Sequence, residues 1–433
     1  MKKNFRNHPV VEGTLYLVSW SLFALITGGI GGVVGGAFGW CIRAVTGLRE
    51  RQPWMVLLLP ILGLLIVFLY KITGEEKNRG TNMVLSSISA NDHVTMATGP
   101  LIFGSTLLSH LGGASVGREG AALQLGGWLG SRLGELFRLD EKDARSAIMC
   151  GMAAVFAALF GTPVAAAVFC IEVISVGVFY YAALVPCIFS AYIGTGVARL
   201  LGAEEESWTI LSVPEMDLAL LLKTIALGLL CAGLAIVLVL VIHGVEKQAK
   251  KILPNPYIRV IVSGLLFAVL TLAVGTRKFT GSGTVLIDAA MKEDVDPWAF
   301  ILKMFFTAIV IAGGFRGGEI VPTLSIGAAF GALFGSVAGL PVSLSAACGM
   351  IALFAGATNC PIASLLIAME MFGGQGLSYF AVTVALSFVL SGYYSLYGTQ
   401  RFAYSKLKME TMEQHNTAEE QEEKLDLREH GIE

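Results

Sequence analysis

The sequence predicts an all-α polytopic membrane protein built of two inverted structural repeats, with broken helices meeting near the bilayer midplane. Three observations predict it. The 433 residues are 55% hydrophobic and only 14% charged, with mean hydropathy +0.71. One soluble core of that length cannot hide so much apolar surface. The apolar residues also come in long blocks nearly free of charge: 14–40, 54–70, 147–200, 218–243, 258–275, 299–312 and 320–397. A spanning helix needs about 20 apolar residues, so these blocks hold about 10 or more embedded helices, some of them short. Finally, residues 152–173 align without gaps on 350–371 at an offset of 198, with Met152 on Met350, Phe156 on Phe354, Pro163 on Pro361 and Glu172 on Glu370. Two apolar helices can look alike by chance. The same offset, however, sets Arg118 on Arg316 and Gly120 on Gly318, outside the apolar helix.

Residues 1–13 form a short N-terminal segment with Lys2, Lys3 and Arg6. No small-residue cleavage site follows a short apolar core, so a retained first span is expected rather than a removable signal. The basic residues place this end in the cytoplasm, as Lys247, Lys250, Lys251 and Arg259 do for 246–259. The acidic run Glu204–Glu205–Glu206 then lies outside, while Arg43, Arg49 and Arg51 run against the rule. A membrane domain spans 14–400, in halves of about 14–200 and 218–400. Residues 401–433 form a charged cytoplasmic tail, exposed and with some helical character, and not a second domain. The 51 glycines permit close helix packing in lipid.

Three glycine-rich stretches interrupt the apolar blocks: Arg79-Gly80-Thr81-Asn82-Met83, Gly117-Arg118-Glu119-Gly120 and Gly317-Gly318-Glu319-Ile320-Val321-Pro322. Backbone that leaves helical form inside a bilayer must be buried in protein or line a watery cavity. Each stretch also opens a helix, whose free N–H groups and positive dipole end favour an anion. Three such ends aimed at one point would bind a small anion without a full positive charge, and so let it go again. A fourth stretch, Gly281-Ser282-Gly283-Thr284, occupies the repeat-related place in the other half and is taken as a loop on the opposite face.

These stretches, with the late tyrosines of Ser391-Gly392-Tyr393-Tyr394-Ser395-Leu396-Tyr397-Gly398-Thr399-Gln400, resemble the CLC (chloride channel) family over residues 14–400. The resemblance implies a homodimer with one anion pathway per subunit, in the plasma membrane, carrying a halide as a channel or an anion/proton antiporter. It also implies roles. Glu119 is the gate: its carboxylate takes an anion site and protonation frees it. The competing role is a structural ion pair with Arg118, which itself braces the loop. Thr81 matches the inner serine, its hydroxyl donating to the halide or capping the next helix. Tyr397 matches the central tyrosine, with Tyr394 its rival. Ile320 and Val321 stand where the family often has phenylalanine, offering backbone N–H groups. Gly80, Gly117, Arg118, Gly120 and Gly318 complete the anion-binding set.

Two departures matter. Many proton-coupled members carry a second, inner glutamate where this chain has Val173, so Glu172 and Glu370 are read as structural. Glu319 resembles the fluoride-exporting branch, and so does the ending SGYYSLYGTQ, but Thr81 departs from it. Chloride is therefore placed first and fluoride/proton antiport kept as the alternative, with Glu319 the alternative proton path.

Other functions find little support. Net charge is −2, so no basic surface invites nucleic acid. The cysteines Cys41, Cys150, Cys170, Cys187, Cys231, Cys348 and Cys360 form no CxxC pair. His93, His110 and His243 show no metal-ligand spacing. An intramembrane enzyme would need a nucleophile–base pair or a metal triad, and an ATP-driven pump a phosphate loop. The sequence offers none of them, and no cofactor is expected.

Overall fold

The computed structural model describes residues 9–90, 94–203, 206–408 and 411–415. Among them are sixteen α-helices and one small sheet. The first half runs α1 (Pro9–Arg51), α2 (Leu59–Ile72), α3 (Thr81–Ser89), α4 (Thr98–Leu111), α5 (Glu119–Leu136), α6 (Glu141–Phe160), α7 (Pro163–Glu172) and α8 (Leu184–Leu200). The second runs α9 (Leu218–Ile252), α10 (Pro256–Val274), α11 (Thr284–Met291), α12 (Ala299–Gly313), α13 (Ile320–Ala338), α14 (Val342–Thr358), α15 (Pro361–Phe372) and α16 (Leu377–Leu390). Seven helical segments are long and apolar enough to cross a membrane. By contrast α3, α7, α11 and α15 have only 9, 10, 8 and 12 residues. They are half-helices, too short to span.

The two halves repeat one packing plan. Helix α1 lies on α4, α6 and α8 as α9 lies on α12, α14 and α16, and α5 lies on α6 as α13 on α14. Helices also meet their own repeat copies: α2 touches α10, α5 touches α13 and α7 touches α15. Elements that touch their own copies must line the axis relating the halves, which makes the molecule a pair of inverted repeats.

Glycine sets the tightest contacts. Cβ atoms on Gly126 or Gly130 of α5 would run into the α6 backbone, and Cβ atoms on Gly327 or Gly331 of α13 into the α14 backbone. The spacing Gly126, Gly130, Gly134 recurs as Gly327, Gly331, Gly335, 201 positions on. Glu119 and Ile320, which open these helices, are also 201 positions apart. The offset of 198 holds only from within α6 onward. The three residues of difference are the extra first turn of α6, which has 20 residues against 17 in α14. The expected matches of Arg118 with Arg316 and Gly120 with Gly318 are thereby corrected: Gly117 corresponds to Gly318, Arg118 to Glu319 and Glu119 to Ile320.

Glu172 and Glu370 each bind the start of a half-helix. The Glu172 carboxylate accepts from the N–H groups of Ile362 (3.1 Å) and Ala363 (2.8 Å) at the start of α15. Glu370 accepts from Val164 (3.0 Å) and Ala165 (2.8 Å) at the start of α7. Each caps the other's half-helix, answering free N–H groups and a positive dipole end with a carboxylate.

Arg49, which ran against the charge rule, is no loop charge. It sits in the last turn of α1, mostly buried, and donates to the His110 carbonyl (3.4 Å). His110 is buried with Nδ1 2.9 Å from the Thr106 carbonyl, and His243 Nε2 lies 3.4 Å from the Leu396 carbonyl. His93 lies outside the described residues. The chain keeps folding past Gln400. Strand β2 (Arg401–Tyr404) pairs in parallel with β1 (Ser175–Val176) and antiparallel with β3 (Thr411–His415), burying Phe402. The described part of the tail is thus extended rather than helical, since a strand there satisfies the open edge of β2.

Candidate functional site

The halves meet at two glycines. Gly117 N donates to Gly318 O at 2.6 Å, and Gly318 N donates to Gly117 O at 2.7 Å. These are repeat-equivalent residues, so the bridge lies on the axis relating the halves. The backbones approach too closely for a side chain at Gly318 or Gly120. A Cβ on Gly318 would come within 2.4 Å of Gly120 N, and one on Gly120 within 2.8 Å of Gly318 Cα.

Helices α5 and α13 both open at this bridge, with Glu119 and Ile320 as their first residues. Helix α3 joins them. Its first residue, Thr81, sets Oγ1 3.4 Å from the Gly120 carbonyl. Gly80, at φ +65, makes the turn into α3, and its N–H is held by Asn78 Oδ1 at 2.8 Å. So the three glycine-rich stretches, distant in sequence, bring three helix N-termini to one place. Such a place attracts an anion through N–H groups and dipoles. The Gly281–Thr284 stretch lies elsewhere, beside Arg49, with the fully buried Lys303 ammonium on the carbonyls of Phe279 (3.3 Å) and Gly281 (2.7 Å).

Glu119 is buried, 1% exposed. Its Oε2 accepts from its neighbour's backbone, Arg118 N (2.9 Å), and its Oε1 lies 3.4 Å from Arg118 Nε. Of the two readings of Glu119, the structure thus shows the contact with Arg118 that the ion-pair reading expects. Arg118 also reaches Glu206, Nη2 to Oε1 at 2.5 Å.

Thr81 does not cap its helix. Gly80 holds the cap position, and no side chain caps α3. The Thr81 hydroxyl instead accepts from Gln124 Nε2 at 3.3 Å. The Tyr397 hydroxyl is buried and has no hydrogen-bond partner among the described residues. Tyr397 lies within electrostatic reach of Glu319. Tyr394, its rival, offers its backbone carbonyl to Asn359 Nδ2 (3.0 Å). Glu319 precedes α13 and lies within electrostatic reach of Glu246, His243 and Arg316. Arg316 is held apart from the bridge, over the Tyr70 ring at 4.2 Å and on the Asn78 carbonyl at 3.2 Å. Val173 is buried, and its carbonyl accepts from Gln400 Nε2 (3.0 Å).

Three residues that sequence reasoning passed over position this site. Gln124 ties α5 to Thr81. Asn82 of α3 holds Thr399, side chain to hydroxyl at 3.1 Å, and so fastens the segment carrying Tyr397. Gln400, fully buried, donates to Val173 O and Thr358 O while its Oε1 accepts from Asn359 and Ser395. The one available signal was a lone amide inside apolar sequence, a group that costs free energy unless bonded.

Residues 62–392 match the family described as voltage gated chloride channel. The chain is 32% identical over 409 residues to a chloride/fluoride channel protein of Pseudomonas syringae pv. tomato, covering 93% of this chain and 90% of that one. It is 29% identical over 350 residues to a voltage-gated ClC-type chloride channel ClcB of Escherichia coli, covering 77% and 82%. A crystal structure of a CLC-type fluoride/proton antiporter superposes with TM-score 0.85 at 32% identity, over 89% of this chain and 98% of that one. A slow cyanobacterial Cl−/H+ antiporter superposes with TM-score 0.73 at 20% identity, over 86% and 94%, a likeness of fold alone. With the inverted repeats, the glycine bridge and the three converging helix ends, these matches establish that the chain belongs to the CLC family of voltage gated chloride channels.

Proposed function

We propose that the protein exchanges a halide for protons across the membrane, with fluoride the ion it serves and Glu119 its gate. The observation that carries the reading is the meeting of three helix N-termini around a buried carboxylate. When ionised, Glu119 occupies that place as an anion would, held by the Arg118 N–H and guanidinium. Protonation weakens both bonds and frees the side chain to swing away. A halide then takes the vacated charge position, held by backbone N–H groups of α5 and α13 and by the hydroxyls of Thr81 and Tyr397. One carboxyl group thus trades a proton for an anion.

The fluoride assignment is supported by Glu319. Val173 offers no carboxylate on the family's usual inner route. Glu319 supplies one, in electrostatic reach of Glu246 and His243 on α9 and of Tyr397. The 32% identity to the fluoride/proton antiporter supports the same ion. Chloride is the second reading, favoured by the serine-like hydroxyl of Thr81. We further propose a homodimer in the plasma membrane with one pathway per subunit, every site residue coming from a single chain.

The test is reconstitution in liposomes with fluoride efflux, chloride efflux and proton uptake followed together. Fluoride efflux that drives protons inward against their gradient supports the reading. Efflux of either ion without proton movement overturns the exchange.

A further inference from the structure

The acidic run at 204–206 carried only a topological meaning in the sequence, yet its last member enters the site. Glu206 lies between α8 and α9, 88 positions from Arg118, and the two side chains meet at 2.5 Å. Glu119 is the weaker partner of the same guanidinium, at 3.4 Å. The side chains of Arg118, Glu119 and Glu206 are 13%, 1% and 14% exposed. The second Glu206 oxygen, Oε2, is buried with no hydrogen-bond partner among the described residues. Nothing in the proposed exchange uses this carboxylate.

We propose that Glu206 is a positioning residue for the gate, holding Arg118 so that Glu119 can leave. The proposal rests on the reading of Glu119 as gate. A guanidinium presents a rigid fork of donors, and here two carboxylates share it. If Glu119 were its sole partner, each departure would strand a buried cation, which is costly. Glu206 keeps Arg118 paired through the whole cycle. Without Glu206, the guanidinium turns to Glu119, and the seat opens more rarely.

The test uses the full-length chain as wild type, Glu206→Gln, Glu119→Gln and the double variant. Sodium fluoride and sodium chloride binding is measured by calorimetry in detergent, and fluoride and proton fluxes in liposomes. Glu206→Gln should weaken halide binding and slow efflux about tenfold, the weight of one bond to a charged group. The ratio of protons to halide should hold. In the Glu119→Gln background, where no carboxylate need leave, Glu206→Gln should change halide binding little. Glu206→Asp, which keeps the charge on a shorter stem, should fall between wild type and Glu206→Gln. Equal weakening in both backgrounds, or unchanged binding and flux in Glu206→Gln and Glu206→Asp, overturns the proposal. Proton coupling that survives Glu119→Gln overturns the gate reading itself, a separate outcome.

Discussion

Tyr397 carries a hydroxyl that is enclosed by protein and bonded to none of the described residues. A buried, unanswered hydroxyl costs stability unless something outside the chain answers it. On the proposed mechanism the halide does so. Tyr397→Phe should therefore leave thermal stability unchanged or slightly raised while halide binding weakens by about 1.5–3 kcal/mol. Loss of stability with unchanged binding would make the hydroxyl structural. Thr81 differs, because its hydroxyl already accepts from Gln124. Its removal would disturb the α3–α5 contact as well as the anion. Glu119→Gln keeps the shape and removes the charge, so it should abolish proton coupling. Paired fluoride and proton recordings that stay locked together in that variant would refute the gate. Glu119, Gly80 and Gly318 stood out in the sequence because a lone carboxylate and clustered glycines interrupt otherwise apolar blocks. Gln124, Asn82 and Gln400 were not, because a single amide names no partner until folding supplies one.

Helices α7 and α15 show how an element can hold its repeat copy. Each is capped by a glutamate from the other, Glu172 on α15 and Glu370 on α7. The four N–H groups stand at helix starts, where no intrahelical acceptor exists. Glu172→Ala should cost about 1–3 kcal/mol by leaving two of them unanswered. Symmetry of the contact gives Glu370→Ala a similar loss. Thermal unfolding in detergent measures both, and the ratio of protons to halide should match wild type in each. A changed ratio in Glu172→Ala would assign that carboxylate to the proton path after all. The pairing of Glu172 with Glu370 was legible as a repeat, since the offset of 198 holds through α7 and α15. The correspondence at the glycine bridge was not, because the extra turn of α6 shifts the register by three residues upstream. The sign that would have found it is the spacing Gly126, Gly130, Gly134 against Gly327, Gly331, Gly335. It speaks only when read as packing against a neighbouring helix.

At the scale of the whole molecule, hydropathy made the bundle legible, and the repeat made its two halves legible. The three-stranded sheet was not legible, since β1 has only two residues and gains its partner from the far end of the chain. The halves are alike in plan and unlike in charge where it matters most. At equivalent places beside the glycine bridge, one repeat sets Arg118 and the other Glu319. Around Arg118, two carboxylates converge. Glu319 lies within electrostatic reach of Glu246, His243, Arg316 and Tyr397, a set that includes proton-carrying groups. This asymmetry suits a cycle in which the anion seat opens at Glu119 and protons arrive by way of Glu319. Fluoride makes the need sharper. It is small and strongly hydrated, so leaving water demands many donors, and its conjugate acid is weak enough that it shares protons readily. A carboxyl at Glu319 can give or take a hydrogen bond according to its protonation. Glu319→Gln keeps the size, an acceptor and N–H donors but has no proton to give up or take. Fluoride efflux and its coupled proton uptake should then both fall by at least about tenfold, the weight of a bond to a charged group. Chloride efflux should change less. The comparison needs both ions in both proteins. If wild type moves chloride faster than fluoride, and Glu319→Gln leaves that difference intact, Glu319 has no part in choosing the ion and the chloride reading stands.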